Sequence, residues 1–278
     1  MKNYLLTGST GFVGRNIAKN LLKNDVSLSV VVRKKNKHKL NEFPSLKNVF
    51  YTDNLFLESK DWWKEVCQNI DVVIHAAWYT QHDDYLDSLF NLECLSGSLN
   101  LSLGAIEANI RKFIGIGTCF EYAPSIDPLT VESSLGPFTL YGAAKTSLYL
   151  TLTKLFKNNS IPFAWARLFY LHGEGEDPNK LTSVIRRKLE LNKKIEILSG
   201  EEIRDYLDVK IAGRMIATLA LSEQVGAVNI CSGLPVSIKE LSLNIASEQG
   251  KKHLIDILAS NNEKTNTSKI VGVPNIVS

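Results

Sequence analysis

The 278-residue sequence predicts an α/β fold, a doubly wound parallel sheet with helices on both faces and a smaller C-terminal region. Two observations carry that prediction. Short apolar β-type runs alternate with helical patterns through the first 168 residues, and the first run passes straight into a glycine-rich turn that opens a helix. The strand runs are Tyr4–Thr7, Leu28–Val32, Asn48–Tyr51, Asp71–His75, Lys112–Ile116 and Phe163–Leu168. Between them lie helical segments, notably Gly11–Asn24, Leu86–Ala108 and Thr139–Asn158. In sheets of this kind the ligand sits at the carboxyl ends of the strands. After about residue 170 the rhythm loosens into a Gly/Glu/Asp/Pro stretch, Gly173–Asn179, then a helix, a short strand and two further helices. Residues 169–278 are therefore assigned to a second, smaller region over the ligand edge, with a soft boundary that allows interleaving.

Composition narrows the partners. The chain is 44% hydrophobic and 22% charged with a net charge of +3, which suits a globular protein and gives no reason to expect nucleic acid or membrane. Cys67, Cys94, Cys119 and Cys231 are scattered without a CxxC pair, against both a disulfide framework and a zinc site. His75 and His82 lack metal-ligand spacing, so no metal is expected. No apolar run approaches the ~20 residues that span a bilayer. The opening run ends in a turn rather than a cleavage site. A cytoplasmic, soluble protein is the expectation.

Residues 7–14 read Thr-Gly-Ser-Thr-Gly-Phe-Val-Gly, between the first strand and the first helix. Gly8, Gly11 and Gly14 permit a tight turn, close backbone approach to a pyrophosphate and helix–strand packing, as in Rossmann-type folds. The backbone of Thr10, Gly11, Phe12 and Val13 would then face the phosphates at a positive helix terminus. At the end of the second strand, where an acidic residue usually holds the adenosine ribose, stand Arg33, Lys34 and Lys35. Their charge suits the extra 2′-phosphate of NADP, and a solvated basic loop is the plain alternative. NADP is thus favoured, with NAD still open. Asp53 could bond the adenine amino group or simply occupy a surface turn.

Tyr141 and Lys145 form a YxxxK pair near the start of a helical segment, on one helix face. A tyrosine exchanging a proton near neutrality needs its pKa lowered from about 10, and a neighbouring ammonium does that. Upstream, Gly117-Thr118 closes a strand at the ligand edge, where a hydroxyl can bond the same substrate oxygen.

Together the TGSTGFVG turn, His75-Ala76-Ala77, Gly117-Thr118 and Tyr141-Gly-Ala-Ala-Lys145 resemble the extended short-chain dehydrogenase/reductases in order and spacing. Arg167–Gly173, Arg204-Asp205-Tyr206 and the run Val228–Gly233 are similar to the nucleotide-sugar epimerase, dehydratase and reductase branch. The resemblance implies that Tyr141 gives or takes the proton, Lys145 supports it and binds the nicotinamide ribose, and Thr118 holds the reacting sugar oxygen. It places Ala76 and Ala77 against the cofactor and Arg204 on the nucleotide diphosphate; a salt bridge to Glu201 or Asp205 is the alternative for Arg204. It further implies a nucleotide-sugar substrate, and a homodimer paired through the two long helices. Tyr170 stands where the branch often has an Asn that contacts substrate. The branch's dehydratases carry Asp-Glu after the threonine, whereas here Cys119-Phe120 follow and Glu121 comes one position late. With Arg33 in the acidic position, the reading is NADPH-dependent reduction of a 4-keto-6-deoxy nucleotide-sugar. The alternatives are an NAD-dependent 4-epimerase and a catalytically silent NADP-binding redox sensor.

Overall fold

Tyr4, Leu5 and Leu6 are shut off from solvent because β1 (Lys2–Thr7) lies inside a parallel sheet covered on both faces. In the computed structural model, residues 1–198, 200–258 and 269–277 are described. From β1 the chain enters α1 (Phe12–Leu21), whose Ile17, Ala18 and Leu21 recur on the buried face. It then lays down β2 (Val26–Arg33) and β3 (Val49–Thr52) on one side of β1. Through α2 (Lys60–Val66) it crosses to β4 (Val72–His75) on the other side. Beyond come α3 (Phe90–Glu107), β5 (Lys112–Thr118), α4 (Leu140–Asn158) and β6 (Phe163–Leu168). All six strands expected from the sequence form, within one to two residues of their expected ends.

The helix expected from Leu86 begins only at Phe90, because residues 82–87 form turns. Asn91 is the cause. Its buried side chain donates to the carbonyls of Tyr85 and Ser88, offering that stretch an alternative to helical bonding.

The later chain builds β7 (Tyr170–His172), α5 (Leu181–Glu190), β8 (Ile195–Leu198) and β9 (Ile203–Asp208), then α6 (Val209–Leu221) and β10 (Gly226–Ile230). It closes with β11 (Pro235–Ser237), α7 (Ile238–Glu248), β12 (Ile255–Leu258) and β13 (Lys269–Ile270). β10 pairs in parallel with β6 and completes a seven-stranded sheet in the order β10-β6-β5-β4-β1-β2-β3. Residues beyond 168 thus supply one strand of the main sheet, and α6 packs back on α1. β7, β9, β11 and β13 form a separate small sheet, and β8 pairs with β12.

One short strand was expected in this region, and several are present. β9 explains why they escape pattern reading: its inward positions are Asp205 and Leu207, so a carboxylate interrupts the apolar alternation. Asp205 is fully buried yet satisfied, accepting from the backbone N–H groups of Ser232, Gly233 and Gly272 and the Ser232 hydroxyl. It ties β9 to the loop after β10 and to the segment after β13.

Two apolar clusters flank the main sheet. One gathers Leu6, Ile17, Val30, Ile74, Ile114 and Ile216 beneath α1 and α6; the other gathers Leu5, Trp63, Val73, Leu101, Leu152 and Trp165 beneath α2, α3 and α4. Among the described residues no helix is long and apolar enough to cross a membrane, and no group of His, Cys, Asp and Glu could hold a metal ion.

Candidate active site

β1 and β4 are neighbours, but the chain leaves them towards opposite edges of the sheet, which opens a crevice at their carboxyl ends. The two ends are locked together. Thr7 Oγ1 lies 2.8 Å from His75 Nδ1 and accepts the Ala77 N–H at 3.2 Å, while His75 Nε2 meets the Ser98 hydroxyl at 2.7 Å. Burial pushes His75 down to about 3, so this link is neutral. Gly8 has φ +74°, and a Cβ there would lie 2.8 Å from the backbone of Ala76 and Ala77. A Cβ on Gly14 would lie 2.0 Å from the Gly8 carbonyl oxygen.

α1 begins after Gly11 with no side-chain cap on its free N–H groups. Within the same turn the Ser9 hydroxyl is buried and has no hydrogen-bond partner. Open N–H groups, an orphaned hydroxyl and a backbone cleared of side chains fit a pyrophosphate, so a dinucleotide suits this cradle. Sequence reading missed Arg15, whose buried Nε is likewise unpartnered and whose Nη1 would lie 2.7 Å from a Cβ on Gly175. A signal was available: a cation in a first helical turn opposes the helix dipole unless an anion is due there. Gly14→Ala is expected to weaken dinucleotide binding by about five- to a hundredfold, since a clash with backbone costs ~1–3 kcal/mol. Titrated cofactor fluorescence checks this, and an unchanged dissociation constant would remove the cradle from the reading.

Arg33 ends β2 exposed to solvent and precedes a 3-10 helix over Lys34–Glu42 that carries Lys34, Lys35, Lys37 and Lys39. Asn36 Nδ2 reaches Thr10 Oγ1 at 3.5 Å, which brings this basic segment beside the glycine turn. Asp53 is exposed and held by Lys34 Nζ at 2.7 Å. The structure thus groups Arg33 with the other cations, and Asp53 engages one of them.

Thr139 caps α4 by accepting the Gly142 N–H at 3.0 Å, setting Tyr141 in the first turn and Lys145 one turn further on. Thr118 is the last residue of β5, and its side chain lies beside the Tyr141 phenol. Lys145 Nζ donates to the Ile116 carbonyl at 2.7 Å and lies 3.7 Å from the Trp78 ring centre. All three residues expected to react together are buried at one point below the crevice.

Burial dominates their electrostatics. Burial holds the Tyr141 phenol far above the usual tyrosine range, Tyr85 adds to this, and only the Thr118 bond opposes it. Burial also lowers Lys145 to about 7, against the pull of Glu121 and Cys94. Desolvation is the largest of these influences, and it favours the protonated phenol.

Glu121 lies below the site. It is fully buried and accepts from the Thr118 backbone N–H at 2.8 Å, Trp165 Nε1 at 2.9 Å and Arg167 Nε at 2.8 Å. The one-residue shift has turned this carboxylate into the core, where it closes a capping box under Thr118. Cys119 follows the threonine with its thiol raised to about 12 by burial, so it is neutral.

Across the site, Tyr170 in β7 is in register with Tyr206 in β9, and the Arg204 guanidinium lies 5.6 Å from the Tyr170 ring centre. Phe120 links Tyr170, 6.0 Å away, to Tyr141, 6.4 Å away. Arg204 stands on a strand and pairs with Glu202 at 2.6 Å, while Asp205 faces the opposite side of β9. The salt bridge seen for Arg204 is thus to Glu202, beside the Glu201 and Asp205 given as alternatives. Sequence reading also missed Phe120 and Lys180; the Lys180 ammonium lies 5.2 Å from the Tyr85 ring centre, and that ring meets Tyr141 edge-on at 5.1 Å.

The model of a family described as the NAD dependent epimerase/dehydratase family matches residues 4–231. The chain belongs to that family. Among similar members, the dTDP-6-deoxy-L-talose 4-dehydrogenase (NAD(+)) of Aggregatibacter actinomycetemcomitans is 24% identical over 90% of this chain and 92% of that enzyme. The UDP-glucose 4-epimerase of Vibrio cholerae is 28% identical over 64% of this chain, which spans about half (54%) of that enzyme's length. In fold, the UDP-N-acetylglucosamine 4-epimerase of Methanobrevibacter ruminantium M1 matches with a TM-score of 0.85 at 20% identity, over 98% of this chain and 89% of that one.

Proposed function

We propose that this epimerase/dehydratase family member reduces the 4-keto group of a 4-keto-6-deoxy nucleotide-sugar, with NADPH as the favoured reductant. The observation that carries the reading is the placement of the buried Tyr141 phenol beside Thr118, where the carboxylate Glu121 is committed to Arg167 and Trp165. A dehydratase needs an acid–base pair at that point; a ketoreductase needs one proton donor and one oxygen holder. The relative named as a 4-dehydrogenase of dTDP-6-deoxy-L-talose supports the same chemistry, since its reverse is reduction of a 4-keto sugar.

In this reading the nicotinamide supplies a hydride to the C4 carbon when bound. Thr118 donates a hydrogen bond to the keto oxygen as negative charge builds there. Tyr141 transfers its phenolic proton to that oxygen, giving the alcohol, and the charged form of Lys145 opposes the phenolate left behind. Arg204 holds the nucleotide diphosphate, Tyr170 orients the guanidinium, and the ring of Phe120 walls the sugar. The exposed apolar residues Phe90, Leu92 and Leu103 of α3 and Leu150 of α4 suit pairing of two copies, and a cytoplasmic setting suits NADPH.

Purified protein with NADPH and a 4-keto-6-deoxy nucleotide-sugar is expected to oxidise the cofactor. The relatives' names that print NAD leave the 2′-phosphate preference to Arg33 and its neighbouring cations. Arg33→Asp is expected to weaken NADPH binding about tenfold or more and to narrow the gap to NADH. Equal dissociation constants before and after the change would remove Arg33 from the cofactor site. The second reading, a 4-epimerase, is favoured by the epimerases among the relatives. Tightly copurifying NAD and interconversion without net oxidation would select it.

A further inference from the structure

Trp78 follows the Ala76-Ala77 cradle and lays its indole on the Lys145 ammonium, 3.7 Å from nitrogen to ring centre. That is well inside the ~6 Å within which an aromatic face attracts a cation. The indole is held there specifically. Its Nε1–H donates to Asn91 Oδ1 at 2.8 Å, and the Asn91 amide donates to the carbonyls of Tyr85 and Ser88 at 2.6 and 2.9 Å. Asn91 is fully buried, so its three bonds fix which of its atoms faces the indole. Phe56 and Tyr141 meet the same indole edge-on at 6.3 and 6.4 Å.

The ammonium needs such support. Its hydrogen bond goes to the Ile116 carbonyl, and no carboxylate touches it among the described contacts. The titratable groups that face it are Glu121, already bonded to Arg167; Cys94, whose thiol burial raises to about 11; and His75, which is neutral. Trp165 offers a second, more distant face at 5.9 Å. A buried ammonium without a counter-ion loses its proton readily unless something favours its charge.

We infer that Trp78 is a positioning residue for the proposed reduction: its π face keeps the Lys145 ammonium charged and aimed along α4 beside Tyr141, and Asn91 is the clamp that holds the indole. The inference rests on the ketoreductase reading, and its test has an arm that does not.

In the kinetic arm, Trp78→Leu is expected to move the alkaline limb of the pH profile of kcat down by about one unit, because Lys145 then loses its proton earlier. Trp78→Phe, which keeps an aromatic face without the Asn91 bond, is expected to recover part of the shift. KM for the nucleotide-sugar should stay within about threefold. Opening the site to water would move the limb the other way. An unmoved or raised limb therefore overturns the inference, as does a change confined to KM.

The second arm reads Trp78 emission, taken as the difference between wild type and Trp78→Phe, across roughly pH 5 to 9. A titration step is expected, and it should vanish when the same difference is taken on a Lys145→Met background. Its absence, or its persistence without Lys145, overturns the pairing. Should no keto sugar be reduced while the step is present, the ketoreductase reading fails and the Trp78–Lys145 pairing stands.

Discussion

Replacing Tyr141 by Phe is expected to lower kcat for keto-sugar reduction by about 10³-fold, within the 10²–10⁴ that a positioned proton donor contributes. The dinucleotide dissociation constant should change by less than about twofold, because the phenyl ring keeps its contacts with Tyr85, Trp78 and Phe120. Only the hydroxyl beside Thr118 is lost. The direction of the phenol's shift makes the effect one-sided. Held protonated by burial, Tyr141 can give a proton across the neutral range, whereas Lys145, lowered to about 7, changes charge within it. Reduction should therefore fall as pH rises through about 7, since the charged form of Lys145 that opposes the departing phenolate is lost there. Stopped-flow measurement of NADPH oxidation in single turnover separates this step from product release. A Tyr141→Phe enzyme that retains a tenth or more of its turnover would assign the proton to another group.

The succession of strands along the first 168 residues was legible because its physics is local: six apolar runs, with glycines where a backbone must pass close. Gly8 and Gly14 are the clearest cases, since each fills a place where a side chain would meet backbone. Tyr141, Lys145 and Thr118 were legible as a spacing and a strand end, and they lie together. Three features were not legible, for three different reasons. The small sheet was hidden because its longest strand, β9, buries Asp205 where a pattern needs an apolar residue. The start of α3 was misplaced because Asn91, a residue with no helical warning of its own, bonds backward to Tyr85 and Ser88. The burial that raises the Tyr141 phenol was not legible because a sequence shows which charges are near but not how much water has been removed. Glu121 shows the converse: its register was readable, and a single added position sent it from the site to the core.

Arg167→Met is expected to cost about 3–5 kcal/mol of stability, the range for leaving one member of a buried ion pair uncompensated. Both partners are sealed, with Arg167 1% and Glu121 0% exposed, and Arg167 Nε donates to the carboxylate at 2.8 Å. The guanidinium also donates to the Tyr122 hydroxyl at 3.1 Å and lies over the Tyr122 and Tyr149 rings at 4.7 and 4.6 Å. Methionine fills much of that volume but carries no charge, so Glu121 would keep only the Thr118 N–H and Trp165 Nε1. A buried carboxylate left without its cation is the source of that cost. Pairing the change with Glu121→Gln keeps an acceptor for Thr118 and Trp165 and removes the charge; it should recover at least ~1 kcal/mol. Urea unfolding of the two variants measures both effects. Equal losses in the single and double variants would mean that Arg167 acts by volume alone. Activity adds a second readout, because Glu121 fixes the backbone of Thr118. If the ion pair sets that geometry, the single variant should lose turnover even under conditions where it remains fully folded.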